Sequence, residues 1–235
     1  MSPRSGAGEA QLRPARLSIN RSPQPSTETG QLHKTFACDT NLGINTLVAS
    51  FVAPGSLTAL RAAQALLSIQ SNGATLPAWW GMRTGFCRSS SSLLMNANFT
   101  SGPFTCFDYW QGFAIGAPNL RTPVGNRTLI DVIAALPVEA TNIAPIPEGT
   151  EVYAFKLTID NRRTTGLGSC AGCGTGVCIA VNSMKFIQVA PLGDIVLTSP
   201  ATRAHATWQG GTEIDCYLAT PVRDMTWGRI KTLYR

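Results

Sequence analysis

The stretch TEVYAFKLTID, residues 150–160, indicates the fold class of this chain most clearly. In an extended strand, every second side chain points to the same face. One face of this stretch is wholly apolar, and its members are Tyr153, Phe155, Leu157 and Ile159. The opposite face consists of Val152, Ala154, Lys156 and Thr158. This alternation predicts a strand with one face against a hydrophobic core, as in a sandwich of two sheets.

Further stretches predict strands in the same way, because β-branched and apolar residues dominate them. They lie at 44–54, 92–99, 128–137 and 176–190. In residues 56–73 a helical period overlaps with alternation, and we predict a short helical turn followed by a strand. The candidates recur without β-α-β alternation. We therefore predict an all-β fold, an antiparallel β-sandwich of immunoglobulin-like or jelly-roll type with long disulfide-pinned loops.

The composition of the chain favours the same class. Only 14% of the 235 residues are charged, while 22 are glycine and 15 are proline. Few charges and many turn formers are typical of short strands joined by long loops. The net charge of +6 is not gathered into a dense Lys/Arg stripe, so we expect no nucleic-acid partner. We also expect no membrane span, because no apolar run is long enough.

The first 33 residues differ in character from the rest of the chain. They are rich in Arg, Pro, Ser, Gly and Gln, and they contain no apolar core of a signal peptide. We predict that residues 1–33 form a disordered or loosely attached N-terminal arm. We predict one β-sandwich domain for residues 34–235.

Seven cysteines in a loop-rich β chain suggest disulfides and an oxidising, extracellular location. Three of them fall in GSCAGCGTGVCIAVNSM, residues 168–184. This motif lacks the second CxxC of a zinc ribbon and the helix of a thioredoxin-type site, so we expect no metal and no cofactor. One pairing that fits the sequence is Cys87–Cys106, Cys173–Cys178 and Cys170–Cys216, which leaves Cys38 unpaired. Sequence alone leaves other connectivities open.

Aromatic residues in predicted loops or strand ends are the candidate binding residues. They are Trp79, Trp80, Tyr109, Trp110 and Trp208. Exposed aromatic rings can stack on sugars or anchor a partner protein, whereas buried ones would plug the ends of the sandwich. We name no catalytic residue, because no nucleophile motif is present.

Several short motifs, in their order and combination, resemble a group of uncharacterised secreted bacterial proteins. In this chain they read FACDTN, LPAWW, GFCR, FTCFDYWQG, YAFKLTIDN, CAGCGTGVCI, WQGG and TWGRIKTLYR, between Phe36 and Arg235. The resemblance implies export, disulfides and a β-rich extracellular fold, and it supplies no catalytic residue. Members of this group have a signal peptide and a further cysteine before the first motif, where this chain has LSINRSPQPSTETGQ. The departure implies that Cys38 has lost its partner.

These observations lead to a functional expectation with two alternatives. We expect an extracellular, non-catalytic β-sandwich for binding, adhesion or assembly, at a cell surface or in a filament. Its expected partners are a polysaccharide or further copies of itself. A carbohydrate-binding module that uses the loop tryptophans is one alternative, and a secreted hydrolase or oxidase with a loop-built site is the other.

Overall fold

The computed structural model describes residues 33–55, 57–99, 106–139, 144–197 and 205–212, together with the backbone of residues 16–21. Within these ranges the chain forms strands and two 3-10 turns, at Ala78–Trp80 and Ser90–Ser92. The strands are β1 (Arg16–Arg21), β2 (His33–Lys34), β3 (Ile44–Val52), β4 (Leu60–Ser71), β5 (Leu93–Asn96), β6 (Ile115–Leu120), β7 (Arg127–Ala135), β8 (Glu151–Asp160), β9 (Val177–Gln188), β10 (Ile195–Leu197) and β11 (His205–Trp208).

The strands make two sheets that pack face to face. The small sheet has the order β1-β3-β8-β5, and the large sheet has the order β2-β11-β9-β4-β7-β6, with β10 also paired to β9. All pairs are antiparallel except β2 with β11. The rings of Phe51 in β3 and Phe186 in β9 meet across the interior with centroids 4.3 Å apart. The predicted all-β sandwich is confirmed.

Strand β4 corrects the prediction of a helical turn within residues 56–73. Its backbone pairs with β7 on one side and with β9 on the other, so Leu60–Ser71 is a central strand. Ala63, Leu67 and Ile69 are buried towards the core. The local helical period of this alanine-rich stretch is overridden because both edges of the strand are used for pairing.

An irregularity in β8 changes which side chains face the core. Ala49 pairs with Phe155 but Ser50 pairs with Tyr153, so Ala154 is an extra residue at a β-bulge. Tyr153 therefore points to the outer face of the small sheet, not to the core face that the simple alternation predicts. It stacks there on Phe99, with ring centroids 4.2 Å apart.

The backbone of residues 16–21 forms a strand inside the segment predicted to be a disordered or loosely attached arm. Strand β1 pairs with β3 along six residues, from Arg16 opposite Ser50 to Arg21 opposite Asn45. A paired strand at 16–21 is at odds with disorder there, while a loosely attached arm over 1–33 stays a prediction. Residues 1–15 and 22–32 lie outside the described residues, and one domain over 34–235 stays a prediction.

Candidate functional site

Three of the tryptophans predicted to bind a ligand form a buried cluster at one end of the sandwich. Trp79, Trp80 and Trp208 are each at most 1% exposed. The Trp79 and Trp80 rings are 5.1 Å apart, and Trp80 and Trp208 are 5.4 Å apart, both edge to face. Phe36 packs edge-on against Trp208 at 4.5 Å. The predicted exposed platform is wrong for these residues, because their rings plug the core.

A buried arginine completes this aromatic cluster. The guanidinium of Arg88 lies over the Trp79 ring and donates hydrogen bonds to the Trp79 carbonyl (3.2 Å) and to Asp160 Oδ1 (2.8 Å). It also donates to the Asp160 carbonyl. Burial lowers the pKa of Arg88, while the hydrogen bond and negative charge of Asp160 act in the opposite direction. The only sequence signal for this role was the position of Arg88 beside Cys87 in GFCR.

Two disulfides close the loops above the tryptophan cluster. Cys38 bonds to Cys173 with an S–S distance of 2.03 Å, and Cys87 bonds to Cys170 at 2.09 Å. The two cysteines of the CxxC motif thus hold two different loops and are not joined to each other. The prediction that Cys38 is unpaired is wrong, because its partner lies 135 positions away in the sequence.

The predicted pairings Cys87–Cys106 and Cys170–Cys216 are wrong as well. Cys87 and Cys170 are bonded to each other, so neither thiol is available for those partners. These predictions bridged two loops through Cys87 and Cys106 and tied the glycine-rich loop to a later segment through Cys170 and Cys216. The fold instead brings residues 83 positions apart within a Cα–Cα distance of 5.9 Å. Cys216 lies outside the described residues.

The predicted Cys173–Cys178 bond is also contradicted. Cys173 is bonded to Cys38, and Cys178 is disulfide-bonded to a cysteine other than Cys173. The glycine-rich loop between β8 and β9 folds back over the aromatic cluster, where the backbone N–H of Trp79 donates to the Ala171 carbonyl at 2.9 Å. Gly172 allows this approach, since a Cβ there would lie 2.2 Å from Pro77 Cβ at a φ of +95°.

Tyr109 and Trp110 lie apart from the tryptophan cluster and are also turned inward. Trp110 is fully buried, and its indole N–H donates to the Tyr153 carbonyl at 2.8 Å. The half-buried Tyr109 donates its hydroxyl to the Leu60 carbonyl at 2.7 Å. Burial raises the pKa of Tyr109 to about 12, although the positive charge of Arg61 acts to lower it. The buried Trp110 anchors its loop and offers no exposed ring to a ligand, whereas the half-buried Tyr109 stays a predicted binding residue.

A half-buried lysine on the outer face of the small sheet was missed by the sequence reading. The ammonium of Lys156 lies 5.1 Å from the centre of the Phe99 ring. Burial lowers the pKa of Lys156, and the negative charge of Asp108 counteracts this. The bulge that turns Tyr153 outward creates this aromatic surface under Lys156, and periodicity alone could not reveal it.

A cleft opens between the edge strands of the two sheets. It lies where β5 of the small sheet approaches β6 of the large sheet, and its volume is about 230 Å³. Its lining residues are Met82, Arg83, Thr84, Ser90, Leu93, Pro118, Asn119 and Leu120. They come from four separate segments, so no sequence motif marked them.

The described residues contain neither a cluster suited to a metal ion nor a helix suited to crossing a membrane. Across these ranges, no group of three or more His, Cys, Asp and Glu side chains is placed to hold a metal ion. In the same part of the chain, no helix has the length and apolar character that crossing a membrane requires. His205, the second histidine of the sequence, is half buried in β11.

Comparison with known proteins finds similarity among solved structures. No protein-family model matches the chain, and no curated protein matches it. The chain is similar to a DUF4466 family protein from Parabacteroides merdae, with 10% sequence identity and a TM-score of 0.27. The match covers 82% of this chain and 45% of the other, so this chain spans less than half the length of that protein. A likeness of this size carries no functional argument.

Proposed function

We propose that this chain is an extracellular, non-catalytic β-sandwich subunit that assembles with further copies by exchanging its N-terminal strand. One observation carries the proposal: β1 completes the edge of the small sheet by pairing with β3. Exchange of an identical edge strand between copies is a low-cost route to assembly, because the same contacts form in either arrangement.

The edge of β3 requires a partner strand. Leu47 and Ala49 of β3 are buried, and the register places Ile19 opposite Leu47 and Leu17 opposite Ala49. Without β1, the backbone N–H and C=O groups along this side of β3 would be an open sheet edge. A strand from the same chain or from a neighbouring copy satisfies the edge equally well.

The connection between β1 and β2 has enough residues to reach further than the spacing of two packed sheets. Residues 22–32 link β1 in the small sheet to β2 in the large sheet. Eleven residues can extend to roughly 36 Å, whereas packed sheets lie only about 10 Å apart. This surplus length supports exchange, since it lets β1 reach a second molecule without moving β2.

The disulfides support the extracellular part of the proposal. Cys38–Cys173 and Cys87–Cys170 each connect distant parts of the chain. Structural disulfides of this kind form and persist mainly in oxidising compartments. The carbohydrate-binding alternative through the loop tryptophans is not proposed, because Trp79, Trp80 and Trp208 are buried.

Cysteine pairs placed in register test the exchange. Asn20 is the register partner of Thr46, so we would co-express one chain with Asn20→Cys and a second with Thr46→Cys. Strand exchange predicts a covalent heterodimer on a non-reducing gel. The doubly substituted single chain checks that the pair can cross-link at all. If that chain closes on itself and no heterodimer forms, the proposal is overturned.

A matched pair of charge substitutions tests whether β1 drives the assembly. Ile19 is the register partner of the core-facing Leu47 and Asn20 that of the half-exposed Thr46, so we would compare Ile19→Asp with Asn20→Asp. Sedimentation velocity should show that Ile19→Asp reduces the assembled fraction, while Asn20→Asp retains it. Equal sedimentation of both variants would argue against β1 as the joining strand.

A further inference from the structure

The cleft between β5 and β6 has the two components of a small-ligand site. Its floor is apolar and consists of Met82, Leu93 and Leu120, which are all buried. Its rim is polar and carries Arg83, Thr84, Ser90 and Asn119. An apolar surface with a few converging polar groups is typical of sites that bind and orient a small molecule.

The guanidinium of Arg83 is held in place but retains unused donors. Its Nη1 donates to Thr122 Oγ1 at 2.7 Å, and its Cζ lies 5.9 Å from the centre of the Phe86 ring. A guanidinium has five N–H donors in a planar fork. Thr122 takes one of them, so the half-buried group keeps the capacity for a two-point bond to a carboxylate.

The rest of the rim has unused hydrogen-bonding groups. Among the described residues, no hydrogen bond engages the side chains of Thr84, Ser90 or Asn119. Hydroxyl and amide groups are matched to ligand hydroxyls, because both can donate and accept. None of the eight lining residues is acidic, so no carboxylate of the lining competes for Arg83.

We infer that this cleft binds a single sugar-acid unit, a hexuronate, with its carboxylate on Arg83. The carboxylate would meet the guanidinium fork, the hydroxyls would meet Thr84, Ser90 and Asn119, and the carbon face of the ring would lie on the apolar floor. A volume of about 230 Å³ equals the space of roughly seven or eight waters. This is small for a drug-sized ligand and suits one ring. The inference is independent of strand exchange.

Titration of the full chain with a matched pair of ligands tests this site. We would follow binding of D-glucuronate and D-galacturonate by NMR or calorimetry, with D-glucose and D-galactose as neutral counterparts. At least one uronate should bind, its neutral counterpart should bind much more weakly, and added salt should reduce the affinity. Failure of both uronates, or equal binding of an acid and its neutral sugar, would overturn the inference.

Variants then locate the bound ligand. Arg83→Gln should weaken uronate binding by roughly tenfold to hundredfold, because a charge-assisted hydrogen bond is lost. Lys185→Gln removes the same charge from β9, outside the lining residues, and should leave the affinity within about twofold. Circular dichroism and thermal unfolding check that both variants fold. If a folded Arg83→Gln binds uronate as tightly as the unsubstituted chain, the proposed site is wrong.

Discussion

The guanidinium carbon of Arg88 lies 3.9 Å from the ring centre of Trp79, and both side chains are closed off from solvent. This contact lies beside the Cys87–Cys170 disulfide, so the aromatic plug, the ion pair and the cross-link form one unit. The carboxylate of Asp160 links the unit to the end of β8. A cation over an indole face is strengthened by the loss of competing water.

Arg88 should therefore matter far more for stability than a second arginine on the same carboxylate. We expect Arg88→Met to lower the free energy of unfolding by about 2–4 kcal/mol, since buried acceptors lose their donor. Arg162 also binds Asp160, but its side chain is 56% exposed. Arg162→Gln should cost less than about 1 kcal/mol. Urea unfolding measures both, and equal losses would contradict the assigned role of Arg88.

The disulfide connectivity gives a second prediction. Mass spectrometry of the unreduced protein should find peptides that join Cys38 to Cys173 and Cys87 to Cys170. A Cys106→Ser variant should keep the Cys87–Cys170 link. A cross-linked peptide containing Cys87 and Cys106 in the native protein would refute the connectivity.

The energetic effect of one cross-link can be measured separately. Cys38 and Cys173 are 135 positions apart, and closing a loop of about a hundred residues contributes roughly 4–5 kcal/mol in the chain-entropy account. The double variant Cys38→Ser/Cys173→Ser should lose stability of this order in urea unfolding. A loss below about 1 kcal/mol would show that the bond adds little to the folded state.

The sequence predicted the layers of this fold better than the elements that close its ends. The alternation in TEVYAFKLTID indicates that one face of this strand is apolar. Such a face must pack against another layer, so the alternation predicts two packed sheets. It cannot report the bulge at Ala154, because an extra residue is defined by its pairing partner. The helical period in β4 failed for the same reason, since neighbours on both sides decide the conformation of a central strand.

The candidate sites were harder to predict because they depend on distant contacts. Trp79 and Trp208 are far apart in the sequence, but their ring centroids lie 6.0 Å apart. Their predicted position in loops or at strand ends therefore did not make them exposed. The cysteine pairs follow the fold in the same way. Arg83 and Asn119 line one cleft only because two sheet edges meet there, a relationship with no local pattern.

Tyr109 gives a prediction about alkaline pH. Burial raises the pKa of Tyr109 to about 12, so the tyrosinate absorbance of the folded protein should include an ionisation step near that pH that belongs to Tyr109. The unfolded chain loses this proton near pH 10, which is the ordinary value. The neutral phenol thus stabilises the fold fully below about pH 10, and this contribution declines as the pH rises towards 12.

A phenylalanine variant separates this effect from general alkaline unfolding. Tyr109→Phe should remove the late ionisation step and flatten that part of the stability profile. It should also lose roughly 1 kcal/mol at neutral pH, because the hydrogen bond to the Leu60 carbonyl is gone. An unchanged late step in the variant would assign it to another tyrosine.

Gly116 gives the last prediction, which concerns the edge strand β6 beside the cleft. A Cβ at this position would lie 1.8 Å from the Ile133 carbonyl oxygen and 3.0 Å from Met95 Cε. Backbone atoms cannot yield as a flexible side chain can, so Gly116→Ala must push β6 away from β7. We expect a stability loss of about 1–3 kcal/mol.

A second glycine provides the matched control for this variant. A Cβ at Gly193 meets no atom within 4 Å, so Gly193→Ala should change stability by less than about 0.5 kcal/mol. Hydrogen exchange should also rise in β6 and β7 of the Gly116→Ala variant only, since their ladder from Ile115 opposite Ala135 is disturbed. Similar exchange in both variants would mean that β6 can shift without loss of pairing, and that the cleft wall formed by β6 is less rigid than its contacts indicate.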